Sequence, residues 1–140
     1  MLSFDKKPTG YNPIRWDCER QGCFNVKCRP KIEVFADCFP GKINFGDVDG
    51  IVEINSKALL LEWKTEKNIS RGQQIMYERI TSSGLISVLC IIGNAETMES
   101  EEYCIFFNGR QSKWRIGKLG EIKTRIRKWV TWAQKLDKED

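Results

Sequence analysis

The run from Leu85 to Ile92, LISVLCII, constrains the fold more than any other stretch. One serine among seven apolar side chains cannot make a wet face and a dry one, so the run reads as a central strand covered on both sides. It is far shorter than the roughly 20 apolar residues a membrane-spanning helix needs. A helix is predicted just before it, from about Arg71 to Ser83. Ser70 is a good N-cap there, Gln73 stands at the capping-box position, and Gly84 is a natural stop. Glu102 to Phe107 and Ser112 to Ile116 read as further strands. From Glu121 to Leu136, Ile122, Ile126, Trp129, Ala133 and Leu136 form one stripe of an amphipathic helix. This order of elements specifies an α/β domain around a mixed sheet flanked by helices.

Residues 43 to 65 read as a β-hairpin. By the period of two, Asp47, Asp49, Ile51 and Glu53 share one face of the outgoing strand. On the return strand, Ala58 to Thr65, Leu60, Glu62 and Lys64 share one face, and Leu59, Leu61 and Trp63 the other. A two-residue loop at Ser56-Lys57 puts the two polar sets on the same side. Asp49 then lies opposite Lys64 and diagonal to Glu62, roughly 5–8 Å apart. A three-residue loop would undo the alignment.

The 140 residues suit one domain, read as an N-terminal segment (1–40), a core (43–108) and a basic helix (118–136). Ile32, Val34, Phe35 and Phe39 suit one side of a short helix nearly as well as a strand. The start, Met1-Leu2-Ser3-Phe4-Asp5, lacks the pattern of a signal peptide, and a cytoplasmic location without membrane attachment is expected. The chain has no histidine. That excludes a Ser-His-Asp triad, histidine-based hydrolysis and a Cys2His2 zinc site. Hydrolytic chemistry here would have to rest on carboxylates, lysine, cysteine or a metal.

The hairpin supplies such a set. Two carboxylates can hold a hard cation such as Mg2+ (or Mn2+), which keeps several waters and binds a phosphate oxygen. The cation lowers the pKa of its water and neutralises developing charge. Glu62 and Lys64, two apart on a strand, point the same way, so the ammonium can stabilise the same transition state. The carbonyl of Trp63 offers another oxygen.

Gly46-Asp47-Val48-Asp49 followed by Leu61-Glu62-Trp63-Lys64-Thr65 resembles the core of the PD-(D/E)XK nuclease superfamily. Gln73-x-x-x-Tyr77 is similar to the Gln-x-x-x-Tyr motif of its RecB-type exonuclease branch. Gln73 to Gly84, leading into an apolar strand, resembles virus-type replication-repair nucleases and Holliday-junction resolvases. The resemblance spans about residues 45 to 93. It implies a restriction-endonuclease-like fold and a Mg2+-dependent phosphodiesterase acting on nucleic acid, with DNA expected, in phage or bacterial replication, recombination or repair. It makes Asp49 and Glu62 metal ligands with the Trp63 carbonyl, and Lys64 the catalytic lysine. Gln73 and Tyr77 then face the site or the nucleic acid. Glu33, and after it Glu19, are candidates for the acid many members carry on a first helix, and Asp47 is a further candidate ligand. The family's proline is replaced by Val48. A homodimer is a further expectation, since so small a nuclease often needs a second copy to cut two strands.

Other readings of these residues stand beside it. The hairpin charges also suit a solvated face, Gln73 a capping box with Ser70, and Tyr77 ordinary core. The alternative function is an inactive nuclease-like domain that binds nucleic acid or a protein partner. Cys18, Cys23, Cys28 and Cys38 lack paired C-x2-C knuckles, so separate thiols are favoured over a structural zinc or iron-sulfur site. Cys90 and Cys104 read as core. Between Gly109 and Lys128 eight basic residues face a single acid, Glu121. Arg110, Lys113, Arg115, Lys118, Lys123, Arg127 and Lys128 are the candidate phosphate contacts, expected to grip the backbone beside the cleavage site. Trp114, Trp129 and Trp132 read as core or edge packing rather than stacking platforms.

Overall fold

A computed structural model describes residues 31–135. Cys18, Cys23, Cys28, Glu19 and Leu136 lie outside them. The chain divides into two units, Met1–Gly46 and Asp47–Asp140. In the described part of the first, Ile32–Cys38 is a 3-10 helix with no buried residue. Val34 is 71% exposed, and the expected apolar stripe buries none of its residues. Phe45 meets Phe35 and Phe39 edge-on, with ring centroids 6.0 and 5.1 Å apart.

The described residues of the second unit form a six-stranded mixed sheet with one α-helix on each face. In chain order it runs β1 (Gly50–Ile54), β2 (Lys57–Lys64), α1 (Arg71–Ile80), β3 (Ile86–Asn94), β4 (Glu99–Phe107), β5 (Arg110–Gln111), β6 (Arg115–Ile116) and α2 (Leu119–Gln134). Spatial order is β1-β2-β3-β4-β5, with β6 also on β4. β2 and β3 are parallel, joined through α1, and all other pairs are antiparallel. β3 is buried from Ser87 to Gly93, as its composition requires. Its even residues Val88 and Cys90 pack with Cys104, Phe106 and Tyr77 of α1. Its odd residues Leu89 and Ile91 pack with Leu59 and Ile122, and with Trp129 of α2. Among the described residues no helix is long and apolar enough to cross a membrane.

The hairpin has the expected even loop but a different register. Its two loop residues are Asn55 and Ser56, with Ile54 paired to Lys57. Lys57 belongs to the strand because its stem is buried and its ammonium lies 5.3 Å from the Trp132 ring centre. Asn55 and Ser56 take positive φ, 54° and 68°, which suits the type I′ turn that matches strand twist. The pairing Gly50–Leu61 therefore brings Asp49 towards Glu62 rather than Lys64. β1 also starts only at Gly50, so Asp47 and Asp49 precede the strand instead of riding on it.

Two of the other boundaries that differ have a visible cause. α1 ends at Ile80 because the Thr81 hydroxyl donates to the Tyr77 carbonyl at 2.6 Å and accepts the Gly109 N–H at 3.2 Å, tying the helix end to the β4–β5 turn. Ser112 to Ile116 is not one strand. The Ser112 hydroxyl accepts the Ile105 N–H at 2.9 Å, taking a place a ladder carbonyl would fill.

Candidate active site

The parallel pairing of β2 with β3 places Glu62 beside Cys90 and Lys64 beside Ile92, near the carboxyl ends of both strands. Both charged side chains are half-buried and point to the face that α1 covers. Burial of charge costs free energy unless partners are supplied. Here they are. The Lys64 ammonium donates to the Gln73 side-chain oxygen at 2.9 Å. Ser70 caps the helix by accepting the Gln73 backbone N–H at 3.2 Å, so Gln73 contributes its backbone to the cap and its side chain to Lys64. One turn on, the Tyr77 hydroxyl donates to the Glu62 carboxylate. Tyr77 is 4% exposed and its ring packs edge-on against Phe106 at 5.1 Å, so it is both core and site.

Asp49 closes the group. Its carboxylate accepts the Trp63 N–H at 2.6 Å, replacing the ladder partner that β1 no longer supplies. A residue's N–H and C=O leave a strand along the same edge, so the Trp63 carbonyl leaves on the side of Asp49. The Trp63 indole turns to the other sheet face and donates to the Gly93 carbonyl at 3.0 Å.

Electrostatics bind these groups into one unit. Burial pushes the Glu62 carboxyl above its ordinary range, and the charges of Asp49 and Asp47 push the same way. Lys64 and the Tyr77 hydroxyl pull it back. Burial, then the charge of Glu62, raises the Tyr77 phenol far above its usual value, which keeps it a proton donor at neutral pH. Beneath them Cys90 and Cys104, neighbours across β3 and β4, are fully buried. A hydrogen bond with Cys104, then burial, raises the Cys90 thiol, so it is no nucleophile here.

Two close carboxylates, with a main-chain carbonyl on the same edge, suit a hard divalent cation held through one or two carboxylates and its own waters. Among the described residues no three or more Asp, Glu, His or Cys side chains are grouped to hold a metal. The oxygen atoms gathered here are those of the two acids and the carbonyl. Glu33 lies exposed on the 3-10 helix of the first unit, and Asp47 is exposed at the start of the second.

The basic candidates lie elsewhere. Arg110, Lys113, Arg115, Lys118, Lys123, Arg127 and Lys128 are all exposed. α2 covers the sheet face opposite Glu62 and Lys64, so its cations are separated from the acids by the sheet. Spacing does not single out Arg125, yet it and Lys128 line both clefts described between α2, β4 and the β5–β6 edge. The i, i+3 separation of these two residues on a helix is the available signal for it. No protein-family model, no curated protein and no solved structure matches the chain.

Proposed function

We propose that the chain is a metal-dependent nuclease of PD-(D/E)XK type, with a restriction-endonuclease-like fold, that hydrolyses phosphodiester bonds of DNA. The observation that carries this reading is the convergence of Asp49, Glu62, Lys64, Gln73 and Tyr77 at the carboxyl end of β2. Three of the five are half-buried with partnered polar groups, an expense a solvated face does not incur. The location also supports it, because ligands of open α/β sheets bind outside the carboxyl ends of parallel strands. Work in cytoplasmic replication, recombination or repair, and pairing with a second copy to cut two strands, are part of the same proposal.

Asp49, Glu62 and the Trp63 carbonyl would hold Mg2+ or Mn2+. When bound, the cation supplies charge neutralisation at the phosphate and a water acidic enough to attack it. The chain's own groups do the rest. Lys64, its ammonium oriented by Gln73, stabilises the negative charge developing on the phosphoryl oxygens. Tyr77 holds the Glu62 carboxylate in one orientation and favours its ionised form. Asp49 joins the site to the backbone of β2 through Trp63.

The test is incubation of purified protein with linear, circular, branched and single-stranded DNA in Mg2+, Mn2+ or EDTA. Cleavage that needs metal and falls about a hundredfold or more in Lys64→Ala and Glu62→Ala, each still folded by circular dichroism, supports the reading. If wild type and both variants are equally inert on every substrate, the enzyme reading gives way to a nuclease-like binding domain.

A further inference from the structure

We propose a second nucleic-acid site on the α2 face, one that takes a single strand, seating a base in an apolar slot and phosphates on a border of three arginines and a lysine. It stands independently of the cleavage reading, because it lies across the sheet from Glu62 and Lys64 and its ligand is bound rather than cut.

The slot follows from register. β4 presents Tyr103, Ile105 and Phe107 on the α2 face, alternating with the buried Cys104 and Phe106. The short strands β5 and β6 pair with this outer edge, setting Arg110 opposite Phe107 and Arg115 opposite Tyr103. From above, α2 brings Arg125 and Lys128 to the same place. Two clefts result, sharing Ile105, Phe107, Arg125 and Lys128. One, of about 270 Å³, runs under α2 and is walled by Leu59, Leu89, Trp129 and Trp132. The other, of about 410 Å³, opens at the strand edge between Arg110 and Arg115.

The chemistry of the lining selects the occupant. Among the described residues no acid lines either cleft, and four cations border them, which calls for a polyanion rather than one carboxylate. The inner cleft, at about 270 Å³, is slightly smaller than ordinary ligand pockets, which run about 300–1,000 Å³, so it admits one ring system and not a large cofactor. Its aromatic walls are held by contacts within the lining itself. Trp132 meets Phe107 edge-on at 5.4 Å, and the Trp129 indole donates to Ser87 at 3.3 Å. Aromatic faces beside a cationic track are how single strands are held without sequence readout. In a duplex the bases are stacked inside and cannot enter a slot beneath a cationic rim. The second cleft, polar and bordered by Arg110 and Arg115, then carries the neighbouring phosphates.

The experiment is titration of the full chain in EDTA, with tryptophan emission and the anisotropy of a labelled oligonucleotide read together. Probes are a mixed-sequence single strand, the matching duplex, a 5′-mononucleotide, and heparin as a polyanion without bases. The single strand should quench emission and bind about five- to a hundredfold more tightly than the duplex. Arg125→Gln with Lys128→Gln should flatten the dependence of log affinity on log salt by about 1.4, at about 0.7 per phosphate lost. It should weaken binding more than Lys123→Gln with Arg127→Gln, which removes the same charge away from the clefts. The first pair is exposed, so the fold is not at stake. Trp129→Phe with Trp132→Phe should abolish the quench if the protein still folds. Equal affinity for duplex and single strand, equal loss in both charge-removal pairs, or an equal quench by heparin would each overturn the proposal. Saturation by the mononucleotide at the same affinity as the strand would overturn it too, by making the site a free-nucleotide pocket.

Discussion

Gly93 is the position where one added methyl group should do the most damage, and the structure says how much. It follows the register shift between Ile92 and Gly93, where β3 bulges against β4. A Cβ there would lie 2.2 Å from the Glu99 carbonyl oxygen, 2.9 Å from the Ser100 Cα and 2.9 Å from Cζ2 of Trp63. Carbon contacts are comfortable at about 3.5–4.0 Å, so all three are violated. Two of the three partners are backbone and cannot rotate away, so β4 must part from β3 or the bulge must move. Overpacking of this kind costs about 1–3 kcal/mol. Displacing the Trp63 indole from the Gly93 carbonyl loses about 1 kcal/mol more. A total of about 2–4 kcal/mol lowers the melting temperature of a domain this size by roughly 10–30 °C. The control is Gly72 in the first turn of α1, where an added Cβ meets nothing within 4 Å. Gly72→Ala should be neutral or stabilise by up to about 1 kcal/mol. Thermal melts followed by far-ultraviolet circular dichroism decide it. A Gly93→Ala protein melting within about 2 °C of wild type would refute the packing argument, the shift being worked from the same scale.

Three further outcomes are expected. The Glu62 carboxyl is raised above its ordinary value of 4.5 in the fold, so its contribution to stability is full below that value and is lost as pH rises through the raised one. Metal-free wild type should therefore lose melting temperature across that window while Glu62→Gln does not. Mg2+ should restore wild type alone, by about 1.4–2.7 kcal/mol at ten to a hundred times its dissociation constant. Ser56→Gly should raise stability by about 0.5–1 kcal/mol in urea unfolding, because Ser56 sits at φ 68° where glycine pays no steric cost. Elemental analysis of protein purified without chelator should find well under one zinc or iron per chain, and a stoichiometric metal lost in Cys18→Ser would overturn the reading of separate thiols.

Much of the sheet was legible because its strongest signals are local. The LISVLCII run announced a strand dry on both faces, and Ser70 and Gly84 bracketed the helix before it. The parity of the hairpin was legible too, since any even loop keeps Asp49 on the side of Glu62 and Lys64. Its register was not. Loop preference competes there with a tertiary contact, and the stacking of Lys57 over Trp132 draws that lysine into the strand. The helix end was misplaced for the same kind of reason, a hydroxyl bridge from Thr81 to a turn nearly thirty residues away.

The place of the basic helix could have been inferred and shows how far such reasoning reaches. An amphipathic stripe states which side of a helix is dry, but not which face of a sheet it dries. The sheet itself supplies the missing constraint. A strand buried on both faces needs two covers, and the helix linking β2 to β3 provides the one over Leu60, Glu62 and Lys64. Among the described residues the last helix is what remains to cover Leu59, Leu61 and Trp63, whose apolar side chains would otherwise lie open. Its cations must then border the far face, away from the paired acids. A nucleic acid reaching both would have to pass around an edge of the sheet. The β4 edge offers Arg110 and Arg115, whereas β1 offers the Glu53 and Ile51 side chains, so the route favoured by charge runs past β5 and β6.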